Sequence, residues 1–211
     1  MLNLAVMVSG GGTNLQAIMD RIADGSLADV RIACVIASRP GTYAETRAAR
    51  GNIPCVVIRR SDFREPADYD QALIAALAGR NIGLVVLAGF LSLLGSGFIA
   101  TYRNRIINVH PALIPSFCGE GLYGIRPHEA ALAYGVRITG ATVHFVDEHY
   151  DRGPIILQKA VAVRQDDTPQ SLQKRVMQEA EQVILPQAIA LFAAGRIRVD
   201  GRKTIIEGEV S

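Results

Sequence analysis

Short apolar runs alternate with helix-period segments through the first half of the chain. LAVMVS at 4–9 leads into TNLQAIMDRIADG, and VRIACVIAS at 30–38 leads into YAETRAARG, which Gly51 closes. PCVVI at 54–58 precedes PADYDQALIAALAG, and IGLVVLAG at 82–89 runs on into the 90s. Continuous apolar strands separated by helices predict a parallel sheet buried on both faces. Right-handed crossovers then bring the carboxyl ends of the strands, and any ligand, to one edge.

The second half has a different rhythm. RIINV at 105–109 predicts a further strand, while 137–147 and 154–163 predict a longer pair around EHYDRG, an antiparallel addition. Thr168 is placed to cap a helix with Pro169 at its first position. Apolar positions 172, 176, 180 and 183 keep helical spacing up to Pro186, a residue expected to kink or break the helix. The tail RIRVDGRKTIIEGEVS predicts a small hairpin around Asp200-Gly201. The fold class expected is α/β: a Rossmann-like, mostly parallel central sheet flanked by helices, with antiparallel strands added in the C-terminal half.

Composition narrows the function. A length of 211 residues suits one sizeable α/β domain, and 49% apolar with 20% charged residues argues against disorder. A formal charge of +2 with mixed signs gives neither a basic stripe for nucleic acid nor a polybasic membrane patch. No apolar run approaches a membrane span. The opening MLNLAVMVSGGG lacks a charged leader and runs into glycines, so it reads as a first strand and not a signal peptide. Cys34, Cys55 and Cys118 have neither paired nor metal-ligand spacing, which suits a reducing, cytoplasmic setting.

Two places carry candidate chemistry. VSGGGTNLQAI sets three glycines between the first strand and the first helix. Glycine lets the backbone turn sharply toward an anion, and the helix N-terminus adds its positive end. Leu15 stands where a dinucleotide fingerprint needs glycine, and no Gly-Lys-Ser/Thr follows for a P-loop. The run therefore reads as a phosphate cradle for something other than a dinucleotide or ATP, or as a tight turn with no ligand. The second place is INVHPAL. Period-two alternation puts Asn108 and His110 on one side of a strand end, and Pro111 turns the chain after them. An amide and an imidazole side by side suit a developing oxyanion, or His110 is simply a satisfied histidine at a proline corner. Asp147, Glu148 and Asp151 follow in a later loop, from which a carboxylate can hold the imidazole oriented and protonated, relay protons from an attacking amine, or sit as solvated charge.

In order along the chain, SGGGTNLQAI, VVLAGFLSLL, INVHPALIPSF, GATVHFVDEHYDRGPIILQ and the final helix resemble the glycinamide ribonucleotide formyltransferases, folate-dependent enzymes of purine biosynthesis. The resemblance implies transfer of a formyl group from 10-formyltetrahydrofolate to the amine of a ribonucleotide. It assigns catalysis to Asn108, His110 and Asp151, the last by its spacing to Gly153-Pro154. It places the substrate phosphate on Gly12, Thr13 and Asn14, and the ribose hydroxyls on Glu181. It gives the folate pocket to Leu87, Phe90, Leu91, Ser92, Leu93, Val146, Asp147 and Glu148. One formyltransferase domain over 1–211 is implied, with a phosphate-binding half at 1–104, a catalytic and folate-binding half at 105–195 and a tail at 196–211. Small-molecule substrates, no metal, no nucleic acid, no membrane, and a monomer or homodimer complete the expectation. Asp151 beside His110 is expected to raise the imidazole pKa.

The chain departs from the family pattern in places. A longer CGEGLYGIRPHEAAL follows HPALIPSF, Ser92 stands where some members carry arginine, Arg152 replaces a frequent glycine, and Gln182 replaces a frequent histidine. The helix register before Glu181 is shifted by one residue. A formyltetrahydrofolate hydrolase-like enzyme and a noncatalytic Rossmann-type nucleotide-binding module are the alternative readings.

Overall fold

The computed structural model describes residues 1–208. Seven strands form a mixed sheet in the order β3-β2-β1-β4-β5-β6-β7. They are β1 (Leu2–Val8), β2 (Val30–Ala37), β3 (Cys55–Val57), β4 (Leu84–Leu87), β5 (Ile106–His110), β6 (Ile138–Phe145) and β7 (Ile155–Ala162). The β1–β2, β2–β3, β1–β4 and β4–β5 pairs are parallel, and β6–β7 is antiparallel. The expected α/β class is therefore what the chain adopts. Its contacts divide it into two compact units, Met1–Asn108 and Val109–Ser211, within β5 itself.

In the first unit, Leu4 through Val8 on β1 and Leu84 through Val86 on β4 are completely buried, as unbroken apolar runs require of a sheet covered on both faces. Its helices are α1 (Thr13–Ala23), α2 (Tyr43–Arg50), α3 (Pro66–Leu77) and the short α4 (Ser96–Thr101). Local chemistry fixes where they start. Thr42 and Glu45 form a capping box at α2, and Pro66 opens α3. Buried Asp70 accepts the Gly95 and Phe98 N–H groups at 2.8 and 3.0 Å, which ties α3 to the start of α4. The strand order reverses between β1 and β4, whose pairing ends with Met7 opposite Leu87. Such a switch point is where open α/β sheets bind ligands.

In the second unit, α5 (Arg126–Tyr134) ends at Gly135 in the left-handed region, φ 82. Thr168 caps α6 (Pro169–Val176), accepting the Ser171 N–H. The expected hairpin is present as β8 (Ile197–Asp200) and β9 (Lys203–Ile206), with Gly201 at φ 58 in its two-residue turn.

The expected break at Pro186 does not occur. Pro186 lies inside α7 (Gln182–Ala193), and the irregularity sits upstream as a π turn at Met177–Glu181. Gln182, whose carbonyl would meet the proline ring, leaves that turn with ψ −9, tipped off the α ladder. Leu172, Val176 and Ala180 are buried as the spacing predicts, but Ile184 takes the next core position and Val183 is half-buried. Among the described residues no helix is long and apolar enough to cross a membrane.

Candidate active site

The glycine run leaves β1 as a one-sided loop. Gly12 caps α1 in the left-handed region at φ 68, and a Cβ there would lie 2.8 Å from the Ala44 Cβ. Glycine is thus demanded twice, by conformation and by the close approach of α2. Every carbonyl from Val8 to Gly12 is taken. Val8 accepts the Ser38 N–H at 2.9 Å, Gly10 the Ala44 N–H at 3.3 Å, and Gly12 the Gln16 N–H at 2.9 Å. Ser9 accepts the Arg39 Nε at 3.0 Å and Gly11 the Arg47 Nε at 2.9 Å. The Gly10, Gly11 and Gly12 N–H groups have no backbone acceptor among the described residues. With the first α1 amides they form a surface of donors, the arrangement that holds an anion.

Gly12→Ala is expected to cost about 1–3 kcal/mol of stability through strain and overlap. Gly11→Ala, with nothing within 4 Å of its added Cβ, is expected to change stability little. Urea unfolding of the two variants checks the contrast.

The segment after β4 borders this loop. The Ser9 N–H donates to the Gly89 carbonyl at 3.0 Å, and the Ser9 hydroxyl accepts the Leu91 N–H at 2.8 Å. Leu87 and Phe90 face the core, whereas Leu91 and Leu93 are 59% and 56% exposed. Leu91 and Leu93 thus present apolar surface to solvent on this turn. Ser92 between them is half-buried.

At the end of β5, Asn108 is half-buried and His110 is almost fully buried. The His110 Nδ1 lies 3.5 Å from Asp151 Oδ2, and its Nε2 lies 2.9 Å from the Phe117 carbonyl. On the far side of the carboxylate, His144 Nε2 is 3.5 Å from Asp151 Oδ1, while its Nδ1 is 2.8 Å from the Phe145 carbonyl. The Gly119 N–H donates to Asp151 Oδ2 at 2.9 Å. Asp151 itself is held at φ 50, a region that aspartate and asparagine tolerate better than other side chains. Asp147 accepts the His149 N–H at 2.8 Å within its own loop, and Val146 and Glu148 flank it. Of the three loop carboxylates, Asp151 is the one brought to His110.

Burial pushes the Asp151 carboxyl up, but the hydrogen bond from His144, the charge of His110 and the Gly119 N–H outweigh it and hold it below the usual carboxylate range. For His110 burial wins. It pushes the imidazole below its ordinary value, against Asp151 and the Phe117 carbonyl, and His144 adds to the lowering. Asp151 does raise this pKa, as expected, but burial lowers it by more because the ring loses its water. The net lowering at His110 favours the neutral ring, and that at Asp151 favours the carboxylate. Both ring nitrogens face oxygens that only accept, Nε2 the Phe117 carbonyl and Nδ1 the Asp151 carboxylate, so each contact is satisfied by a ring N–H.

Glu181 is buried at the end of the π turn, which adds one residue to the helix ahead of it. His144 and the Phe117 carbonyl have no counterpart in the sequence reading. His144 alternates within a buried strand and reads as core, and a main-chain oxygen has no side-chain signature. Among the described residues no group of three or more His, Cys, Asp or Glu is arranged to hold a metal ion.

The formyl transferase family pattern matches residues 2–189. A phosphoribosylglycinamide formyltransferase of Haemophilus influenzae is 34% identical over 99% of this chain and 95% of its own length. The chloroplastic phosphoribosylglycinamide formyltransferase of Arabidopsis thaliana is 39% identical over 92% of this chain, which spans 66% of that protein. The chain spans 19% of the human trifunctional purine biosynthetic protein adenosine-3, at 38% identity. The crystal structure of glycinamide ribonucleotide transformylase 1 from Symbiobacterium toebii superposes with a TM-score of 0.91 at 39% identity, covering 98% of this chain and 94% of that one. With a family match over nearly its whole length and relatives alike from end to end, the chain belongs to the formyl transferase family.

Proposed function

We propose that this chain transfers the formyl group of 10-formyltetrahydrofolate to the amine of glycinamide ribonucleotide, in purine biosynthesis. The observation that carries this reading is the 3.5 Å contact of His110 with Asp151, on a strand that bears Asn108 two residues earlier. The amine nitrogen attacks the formyl carbon, and the carbonyl oxygen becomes an oxyanion. Asn108 and His110 Nε2–H stabilise that charge, the ring exchanging the Phe117 carbonyl for the oxyanion. Asp151 takes the amine proton, directly or through water, and the C–N bond to the folate nitrogen breaks as that nitrogen is protonated through His110.

The substrate phosphate rests on Gly12, Thr13 and Asn14, and Glu181 binds the ribose. Leu87, Phe90, Leu91, Ser92, Leu93, Val146, Asp147 and Glu148 receive the folate. The chain acts as one formyltransferase domain in the cytoplasm, as a monomer or homodimer, on small molecules alone.

A spectrophotometric assay of folate product from a stable 10-formyl donor, run with and without glycinamide ribonucleotide, tests this. Turnover is expected only with the ribonucleotide. Turnover without it overturns the proposal in favour of a hydrolase, and no turnover in either case overturns it in favour of a changed acceptor or a binding protein.

A further inference from the structure

We propose that Arg47 determines specificity for the phosphorylated form of the acceptor, acting through the glycine loop as a positioning residue. The inference rests on the phosphate assignment made above and adds a residue to it.

Arg47 stands on α2, in a different element from the loop it controls. Its Nε donates to the Gly11 carbonyl at 2.9 Å, its Nη1 to the Gln16 side-chain oxygen at 2.8 Å, and its guanidinium lies 4.8 Å from the centre of the Tyr43 ring. Three contacts of different kinds fix the group in one orientation, and a stacked, forked guanidinium does this where a lysine cannot. The bond to Gly11 matters most. A peptide that turns its carbonyl toward an anion repels it, and one that turns its N–H attracts it. Arg47 holds Gly11 O on the side of α2, so the N–H of the same peptide, that of Gly12, faces the other way.

Charge adds to geometry. Arg47 spends its hydrogen bonds on neutral oxygens, and among the described residues no carboxylate pairs with it. Arg39 does the same on the Ser9 carbonyl at 3.0 Å. Two uncompensated cations therefore back a loop of amide donors, an excess that a phosphate dianion answers and a free hydroxyl does not. Arg50 is the natural control. It also reaches Tyr43, with Nη1 3.2 Å from the hydroxyl, yet among the described residues it makes no hydrogen bond to the loop.

The test compares wild type, Arg47→Met, Arg47→Lys and Arg50→Met on glycinamide ribonucleotide and on the corresponding riboside without phosphate, at saturating 10-formyl donor. Arg47→Met is expected to raise KM for the ribonucleotide about 10- to 100-fold, with kcat within about threefold. Its kcat/KM for the riboside stays at the wild-type value, so discrimination between the two falls by the same factor. Arg47→Lys recovers part of the loss by keeping the charge, and Arg50→Met matches wild type. Equal losses on both substrates, or no change on either, overturn the proposal. Binding of inorganic phosphate, read as thermal stabilisation, gives an answer independent of turnover. If wild type turns over neither acceptor, the proposed reaction fails. The role of Arg47 then stands if phosphate stabilises wild type and not Arg47→Met, and falls if it stabilises both alike or neither.

Discussion

Asp151→Asn is expected to lower turnover by about 10²- to 10⁴-fold and to leave KM for both substrates within about threefold. Asparagine suits the test because it tolerates the left-handed backbone at φ 50 and offers an oxygen to the Gly119 N–H. What it cannot do is accept a proton or carry the charge that faces His110. Asp151 pushes the imidazole pKa upward, so its loss lowers that pKa further. Any limb of the pH profile that reports protonation of His110 then moves to more acidic pH. Unchanged turnover in steady-state assays removes Asp151 from the mechanism. A collapse of KM together with kcat makes it a structural residue of its loop.

The second large effect concerns stability. His128 on α5 is fully buried, and neither ring nitrogen has a hydrogen-bond partner among the described residues. Burial, with His110 adding to it, pushes this imidazole down from 6.5 to about 4. The folded protein therefore holds the ring neutral, while the unfolded chain protonates it near its ordinary value. Above pH 6.5 neither state binds the proton and the full stability is present. As the pH falls toward 4 only the unfolded state gains, and at one pKa unit per ~1.4 kcal/mol the loss reaches roughly 3 kcal/mol. His128→Gln is expected to remove this part of the acid sensitivity, whatever it does to stability at neutral pH. Unfolding free energies at pH 7, 6, 5 and 4 check it, and equal slopes for variant and wild type refute it.

Much of this architecture is readable before any coordinate is placed. Unbroken runs such as IGLVVLAG announce strands buried on both faces, Thr168-Pro169 announces a helix start, and Asp200-Gly201 a hairpin. Each is a local signal whose physics acts within a few residues. The π turn is different, because apolar spacing continues through it and one added residue leaves that spacing intact on either side. Pro186 misleads for the related reason that a tipped Gln182 carbonyl relieves the clash the ring would otherwise cause. At the candidate site, residue types pointed to Asn108, His110 and a carboxylate among Asp147, Glu148 and Asp151, and the family resemblance singled out Asp151. The contacts that set their state come from His144, hidden in a core strand, and from main-chain atoms of Phe117 and Gly119. The same holds for Arg47, which looks like an ordinary charge on the face of α2 until its partner is seen to be a carbonyl.

The one-sidedness of the glycine loop separates two properties that usually go together. Its carbonyls are all bound, so the chain from Val8 to Gly12 is pinned, yet the N–H groups of Gly10 to Gly12 are spent on no backbone acceptor among the described residues. Amide hydrogen exchange reports the fate of N–H groups alone. In the ligand-free protein these three amides should exchange fast enough to pass for a frayed loop, although the backbone bearing them is fixed. A bound phosphate should slow them with little change in the loop's shape.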